Sequence, residues 1–371
     1  MQRPHPSRVW SRLLGLAFLL LGPVTVLAAS LDGLMTATPE RQSPGGFFIE
    51  LGSDHMNGAL DVFRVRESDP ATAGTRAGDY SGKHVSMGWR VAEPLWLTGS
   101  LYNRAVSDTT DTHHYTGWQA GAQYRLQEAQ GRMPAIGFRV SAWGHQADAV
   151  ESTTPVSVPG AILNTVKIKE PADRQLQADL VGTWSLTPSL ELSAMAGAGM
   201  TRLYYGKLSA TTRRDGCNYQ LSFTGNDIFG QLIPPCAAAG GVMEQFFDSS
   251  GDYGVDVAKE IAWRGNFLQA GVNMVWYRGP WVLKGGYLYH AIQREAVDDI
   301  LRGRGKKVYN RNHLLLLEAD YQLSPWLSLV GRGQFSSKLL FNEIPVTYNS
   351  SSAPRFGRKY SLFTIGLRAD F

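Results

Sequence analysis

Apolar and polar residues alternate along most of this chain from Gly46 onward. In the final run Phe363, Ile365, Leu367, Ala369 and Phe371 take every second position, with Thr364, Gly366, Arg368 and Asp370 between them. A strand points successive side chains to opposite faces, so the segment predicts a strand with one apolar face. The same period sets Phe47, Ile49 and Leu51 against Glu50, Gly52 and Asp54, and Val85, Met87, Trp89 and Val91 against His84, Ser86 and Arg90. It returns in Trp118, Ala120, Ala122, Tyr124 and Leu126 opposite Gln123 and Arg125, and in Ile136, Phe138 and Val140 opposite Arg139. Leu176, Ala178, Leu180 and Trp184 then oppose Asp179, and Leu190, Leu192 and Ala194 oppose Glu191. Leu268 to Trp276, Leu283 to Tyr289 (with Lys284 opposite), and Leu315, Leu317, Ala319 and Tyr321 against Glu318 and Asp320 continue it. Leu327, Leu329 and Leu339 against Arg332, Gln334 and Lys338 complete the series.

The connections fall into two classes that alternate. Tight turns come at Ala92 to Pro94, Ser185 to Pro188, Arg278 to Pro280 and Ser324-Pro325, where a proline need not donate to a ladder. Longer polar loops are expected over about 61–80, 107–112, 149–172, 207–253, 302–307 and 342–357. Aromatics beside the tight turns (Trp89, Trp96, Trp184, Trp276, Trp281, Tyr321 and Trp326) have the placement of an interfacial girdle. A soluble sandwich would not segregate its connections in this way. Strands that are apolar on one face need partners on both edges and a solvent that accepts that face, and a closed barrel in a bilayer supplies both. The expected fold is therefore all-β: a transmembrane antiparallel up-and-down barrel of about twelve strands over residues 46–371, with short periplasmic turns and long external loops.

The N-terminus predicts export. Arg3, Arg8 and Arg12 precede the apolar run Leu13 to Leu21 and the small residues Ala28 and Ala29, which is the layout of a cleaved signal peptide over 1–29. That run is too short for a helical span. Residues 30–45 are expected as a periplasmic lead-in too small to act as a plug. Removing the signal takes three arginines and no acids from a net charge of +4, leaving +1, so the pI of 9.0 does not imply a nucleic-acid partner. Two cysteines, Cys217 and Cys236, in an exported chain are expected to pair.

Taken together, the signal segment, the alternating strands, the asymmetry of turns and loops and the terminal Phe371 resemble Gram-negative outer-membrane β-barrel proteins. The resemblance is at superfamily level and covers essentially the whole mature chain. It implies residence in the outer membrane of a Gram-negative bacterium, contact with outer-membrane lipid and lipopolysaccharide, and insertion by the barrel assembly machinery with Phe371 as its signal. It names no solute and no oligomeric state.

Charges on the lipid face would cost several kcal/mol at mid-depth (about 2–4 for a basic residue). Glu50, Asp54, Arg90, Arg125, Arg139, Asp179, Glu191, Lys284, Glu318, Asp320, Arg332, Lys338, Arg368 and Asp370 are therefore expected on the lumen side. They either line a selective aqueous passage or pair across a narrow lumen and hold the wall in shape. The loop holding Cys217 and Cys236 either folds inward as a constriction or is an exposed loop stapled by the pair. A catalytic alternative would draw on Asp54, His55 and Asn57 with His84, at the rim. No HExxH, GxSxG triad or phospholipase-like NHxxS arrangement supports it, and no cofactor or metal ligand set is expected. His113 and His114 are adjacent and point to opposite faces; Asn310, Asn312 and His313 read as polar rim. The function expected is a porin-like channel for small solutes; a rim lipid or lipopolysaccharide hydrolase and a closed surface-interaction barrel are the alternatives.

Overall fold

A computed structural model describes residues 36–56, 79–107, 111–153, 155–158, 161–236, 242–253, 256–338, 348, 353, 357 and 359–371. The signal segment, Asn57, Leu339 and most of the 61–80 and 342–357 loops lie outside these residues.

The strands in chain order are β1 (Phe47–Met56), β2 (Asp79–Ala92), β3 (Leu95–Ser107), β4 (Thr112–Gln127), β5 (Ala135–Gln146), β6 (Ala149–Ser152), β7 (Val156–Val158), β8 (Ala161–Lys169), β9 (Ala172–Thr187) and β10 (Leu190–Tyr204). They continue as β11 (Lys207–Arg214), β12 (Cys217–Thr224), β13 (Asp227–Leu232), β14 (Gln245–Ser249), β15 (Arg264–Arg278), β16 (Trp281–Arg294), β17 (Arg311–Ser324), β18 (Leu327–Ser336) and β19 (Tyr360–Asp370). Twelve of them close an antiparallel barrel in the order β1-β19-β18-β17-β16-β15-β10-β9-β5-β4-β3-β2. Closure is made by β1 against β19, where Glu50 faces Arg368 and Gly52 faces Gly366. The barrel thus has the all-β, membrane-spanning architecture that the alternation implies.

Outward positions are apolar and open: Leu51, Leu268 and Ile365 are 55%, 65% and 68% exposed. Such a band is stable against hydrocarbon and not against water. At the short-turn end Trp89, Trp276, Trp281 and Trp326 face outward, and Trp281 packs on Tyr321 at 4.7 Å between ring centroids. Trp96 departs from the girdle expected for it: it is buried on the lumen face of β3. β4 and β9 each run 16 residues, more than the roughly 9–11 a tilted strand needs to cross hydrocarbon, so the wall continues past the apolar band.

Beyond the long-loop end the chain builds a second sheet. Its order is β14-β13-β12-β11-β8-β6, with β7 paired to β8. It grows directly from the barrel: the β9–β10 ladder ends at Ala172 opposite Tyr204, and β8 and β11 resume it with Lys169 opposite Lys207. Pro171 and the positive φ of Glu170 (51°) mark the break, since proline cannot donate to a ladder. One face carries its own core of Ala210, Cys217, Tyr219, Leu221 and Ile228, with Cys236 and Phe246 packed on it. Cys217 and Cys236 are bonded, their Cα atoms 5.5 Å apart. The segments 149–172 and 207–253, expected as loops, are therefore largely strands. Their alternation (Leu208 and Ala210; Tyr219, Leu221 and Phe223) is present in the sequence, but is too short to register among polar neighbours. Likewise the basic stretch around Arg302 begins as a helix, Val297–Gly303.

Candidate functional site

The lumen is the candidate site, and its residues come from the inward positions of all twelve strands. On one wall they form an ionised arc. Lys284 on β16 pairs with Glu318 and Asp320 on β17, at 3.0 Å for the latter. Glu318 also pairs with Arg332 on β18, which reaches Glu50 on β1 at 3.2 Å across the intervening β19. Gly366 on β19 and Gly52 on β1 hold no side chain in this path. A Cβ at Gly52 would lie 2.2 Å from the His84 ring, so the missing side chain is the space the imidazole occupies.

His84 closes the arc. Its Nε2 is 3.3 Å from Glu50 and its Nδ1 3.1 Å from Asp54, all three buried. A ring with a carboxylate at each nitrogen satisfies both when it carries both protons. Asp54 in turn accepts from the Thr364 hydroxyl at 2.6 Å. Tyr102 lies against the imidazole, 4.9 Å between centroids, and the Arg104 guanidinium lies 4.6 Å from the Tyr102 ring.

Opposite, Arg139 on β5 donates to Asp179 on β9 at 2.6 and 3.0 Å. The Gln177 amide donates to the same carboxylate at 2.6 and 2.7 Å, and Gln269 at 3.2 Å. Gly197 makes this possible, since a Cβ there would lie 1.9 Å from Asp179 Oδ1. Farther out, His145 meets Asp173 at 3.0 Å.

Two apolar groups share the interior. Val181, Met195, Leu288 and Leu314, with Ala37 and Ala135, form a buried patch on the lumen side of β5, β9, β10, β16 and β17. At the long-loop mouth Trp143, Leu203, Phe267 and Ile292 meet Val297 and Leu301 of the helix and Tyr348 and Ala353 of the last loop. There burial pushes the Tyr348 phenol up to about 12 and raises the Asp298 carboxyl, against the pull of Arg294. The lumen is thus less polar than the alternating pattern implied.

The short-turn mouth is crossed by the segment ahead of β1. The Ala37 amide donates to Thr183 Oγ1 at 2.7 Å and Gln123 donates to the Thr36 carbonyl at 2.9 Å. Arg41 pairs with Glu191 at 2.7 Å, and Arg368 donates to the Gln42 carbonyl at 3.0 Å. Thr36, Ala37 and Ser43 are buried. The described part of the lead-in, residues 36–45 with a 3-10 turn at Pro39–Arg41, lies across the opening of a barrel only twelve strands around.

Of the charges expected in the lumen, Glu50, Arg139, Asp179, Glu191, Lys284, Glu318, Asp320, Arg332 and Arg368 face it and are paired. Arg90 and Arg125 sit at the short-turn mouth, both near Glu93 at 3.8 and 3.7 Å. Lys338 is a correction: β18 ends at Ser336, and Lys338 lies past it, 5.3 Å from the Tyr309 ring. Among the described residues the two histidines of the catalytic alternative are not brought together. His84 points inward, whereas His55 is exposed on the other face and bonds Ser53 at 2.8 Å. Asn312 is buried inward while His313 faces out to Tyr287 at 2.7 Å. Residues not singled out from sequence were Arg41, Arg104 and the pair His145–Asp173. One signal was present for the apolar patch: four consecutive leucines, Leu314 to Leu317, leave no polar face.

No protein-family model and no curated protein matches the chain. Solved structures that resemble it include the translocator domain of autotransporter NalP from Neisseria meningitidis, at 8% identity over 88% of each chain with a TM-score of 0.47. The CymD monoaromatic hydrocarbon channel follows at 10% identity, covering 94% of this chain and 95% of that one, with a TM-score of 0.38. The NanC porin is 6% identical over 87% of this chain and 100% of that one, with a TM-score of 0.40. At these identities the likeness is one of fold.

Proposed function

We propose that the protein resides in the outer membrane of a Gram-negative bacterium, short turns toward the periplasm, and acts as a porin-like conduit for small polar solutes that is closed at rest. The observation carrying this reading is the ionised arc from Lys284 to Asp54, which occupies one wall over adjacent strands from β16 to β2. Buried ion pairs return little net stability over apolar packing, so a wall of them is economical where water and solute pass. The segment over the inner mouth is held by a few hydrogen bonds and the Arg41–Glu191 pair, and its withdrawal would expose the arc. A second reading, a closed barrel that anchors the outer sheet, is favoured by the apolar groups buried in the lumen across β5, β9, β10, β16 and β17 and at the outer mouth.

Planar-bilayer conductance of the refolded chain from residue 30, beside a variant lacking residues 30–43, separates the two. The conduit reading expects a mostly silent parent with brief openings and frequent discrete steps in the deletion. A deletion variant that runs as a folded, heat-modifiable barrel and never conducts would overturn it in favour of the anchoring role.

A further inference from the structure

The outer wall carries one charged feature that the lumen does not explain. Arg174 on β9, Arg202 on β10 and Arg264 on β15 are direct cross-strand partners, Arg202 lying opposite each of the other two. All three are exposed on the lipid-facing side. Neighbouring strands stand about 4.8 Å apart, so the row is roughly 10 Å long. Tyr204 lies among them, its ring 5.6 Å from the Arg174 guanidinium and 4.8 Å from that of Arg202. Among the described residues none of the three is ion-paired to a carboxylate, including the neighbouring Glu170 and Glu295. Just above, on the same ladder, Lys169 opposes Lys207, both exposed.

Like charges placed directly opposite across a ladder repel and destabilise it. A row of three, extended by two lysines, carries a repulsion that an anion seated over it would relieve. The position of the row decides which anion. Two residues down the same strands come Leu176 and Met200, which are register partners, and Leu268 follows on β15, all strongly exposed. The arginines therefore stand at the upper edge of the apolar band, at the long-loop end, where Tyr204 takes an interfacial place. Guanidinium groups in a row match phosphate oxygens in paired, charge-assisted hydrogen bonds.

We infer that Arg174, Arg202 and Arg264 form a binding site for the phosphorylated headgroup of an outer-leaflet glycolipid, with its acyl chains lying on Leu176, Met200 and Leu268. The site rests on the orientation adopted above, with the long loops outward, and is independent of whether the lumen conducts. Its test needs no conductance.

The thermal midpoint of the full refolded barrel in neutral detergent is followed while diphosphorylated lipid A, its dephosphorylated analogue or inorganic phosphate is added. Lipid A is expected to raise the midpoint of the parent, and neither of the other two probes should match it at equal concentration. The triple variant Arg174→Gln, Arg202→Gln, Arg264→Gln should bind lipid A about tenfold more weakly or worse, as loss of charge-assisted bonds implies. Without lipid the same variant should be at least as stable as the parent, because repulsion has been removed. Arg202→Gln alone provides a milder variant, and Arg278→Gln, at the other end of β15, should retain the parental response. An unchanged lipid A response in the triple variant would overturn the site. Equal responses to the dephosphorylated lipid would overturn the role of phosphate, and equal responses to inorganic phosphate would overturn the lipid as its source.

Discussion

Replacing Arg139 by Met tests whether the lumen's ion pairs hold the wall. Arg139 and Asp179 are register partners on β5 and β9, their side chains 4% and 0% exposed and 2.6 Å apart. The methionine keeps most of the volume and removes the cation, leaving a buried carboxylate. Breaking such a pair on one side costs about 3–5 kcal/mol. Gln177 and Gln269 still donate to Asp179, which places the expected loss at the low end, about 3 kcal/mol. With a urea slope of about 3 kcal/mol/M, the unfolding midpoint in detergent micelles should fall by about 1 M, read by tryptophan fluorescence. Adding Asp179→Asn removes the stranded charge while keeping the shape, so the double variant should recover at least half of the loss. A midpoint for Arg139→Met within about 0.3 M of the parent, or a double variant less stable than the single one, would refute the view that this pair is a buried structural contact.

Three other outcomes follow from close approaches and from the outer sheet. Gly52→Ala drives a Cβ to 2.2 Å from the His84 ring, so the imidazole must leave its place between Glu50 and Asp54, at a cost of about 1–3 kcal/mol. Gly285→Ala, whose nearest neighbour would be at 3.7 Å, should be nearly neutral in the same urea assay. Replacing Cys217 and Cys236 by Ser reopens a separation of 19 residues and removes roughly 3 kcal/mol from the sheet beyond the barrel. Thermolysin should then cut between 207 and 253 at low dose while the heat-modifiable barrel band persists; simultaneous loss of that band would show that the sheet is integral to the barrel.

The alternation of single residues carried most of the barrel. Leu51, Phe138, Leu180, Leu268 and Leu367 face outward and Glu50, Arg139, Asp179 and Glu191 inward, because a period of two leaves a strand no other way to separate oil from charge. Turn prolines located the strand ends within a few residues for the same local reason. The outer sheet was less legible. Strands such as β7 and β14, of 3 and 5 residues, hold too few alternations to stand out, and β14 is held by Phe246 in a core shared with β11, β12 and β13.

What no local pattern contains is which inward residues meet. Arg332 reaches Glu50 over a separation of 282 residues, and Thr364 reaches Asp54 over 310, contacts created only when β1 closes on β19. Pairing between neighbouring strands, which no single strand's pattern contains, made Gly52 and Gly197 the spaces for His84 and Asp179 and set Arg174, Arg202 and Arg264 in one row, while the enclosed lumen took in Ala37. Side-chain period is a property of each strand and is written in its own residues. Register, shear and the contents of an enclosed lumen are properties of the closed ring, where each strand's offset is set by both neighbours at once.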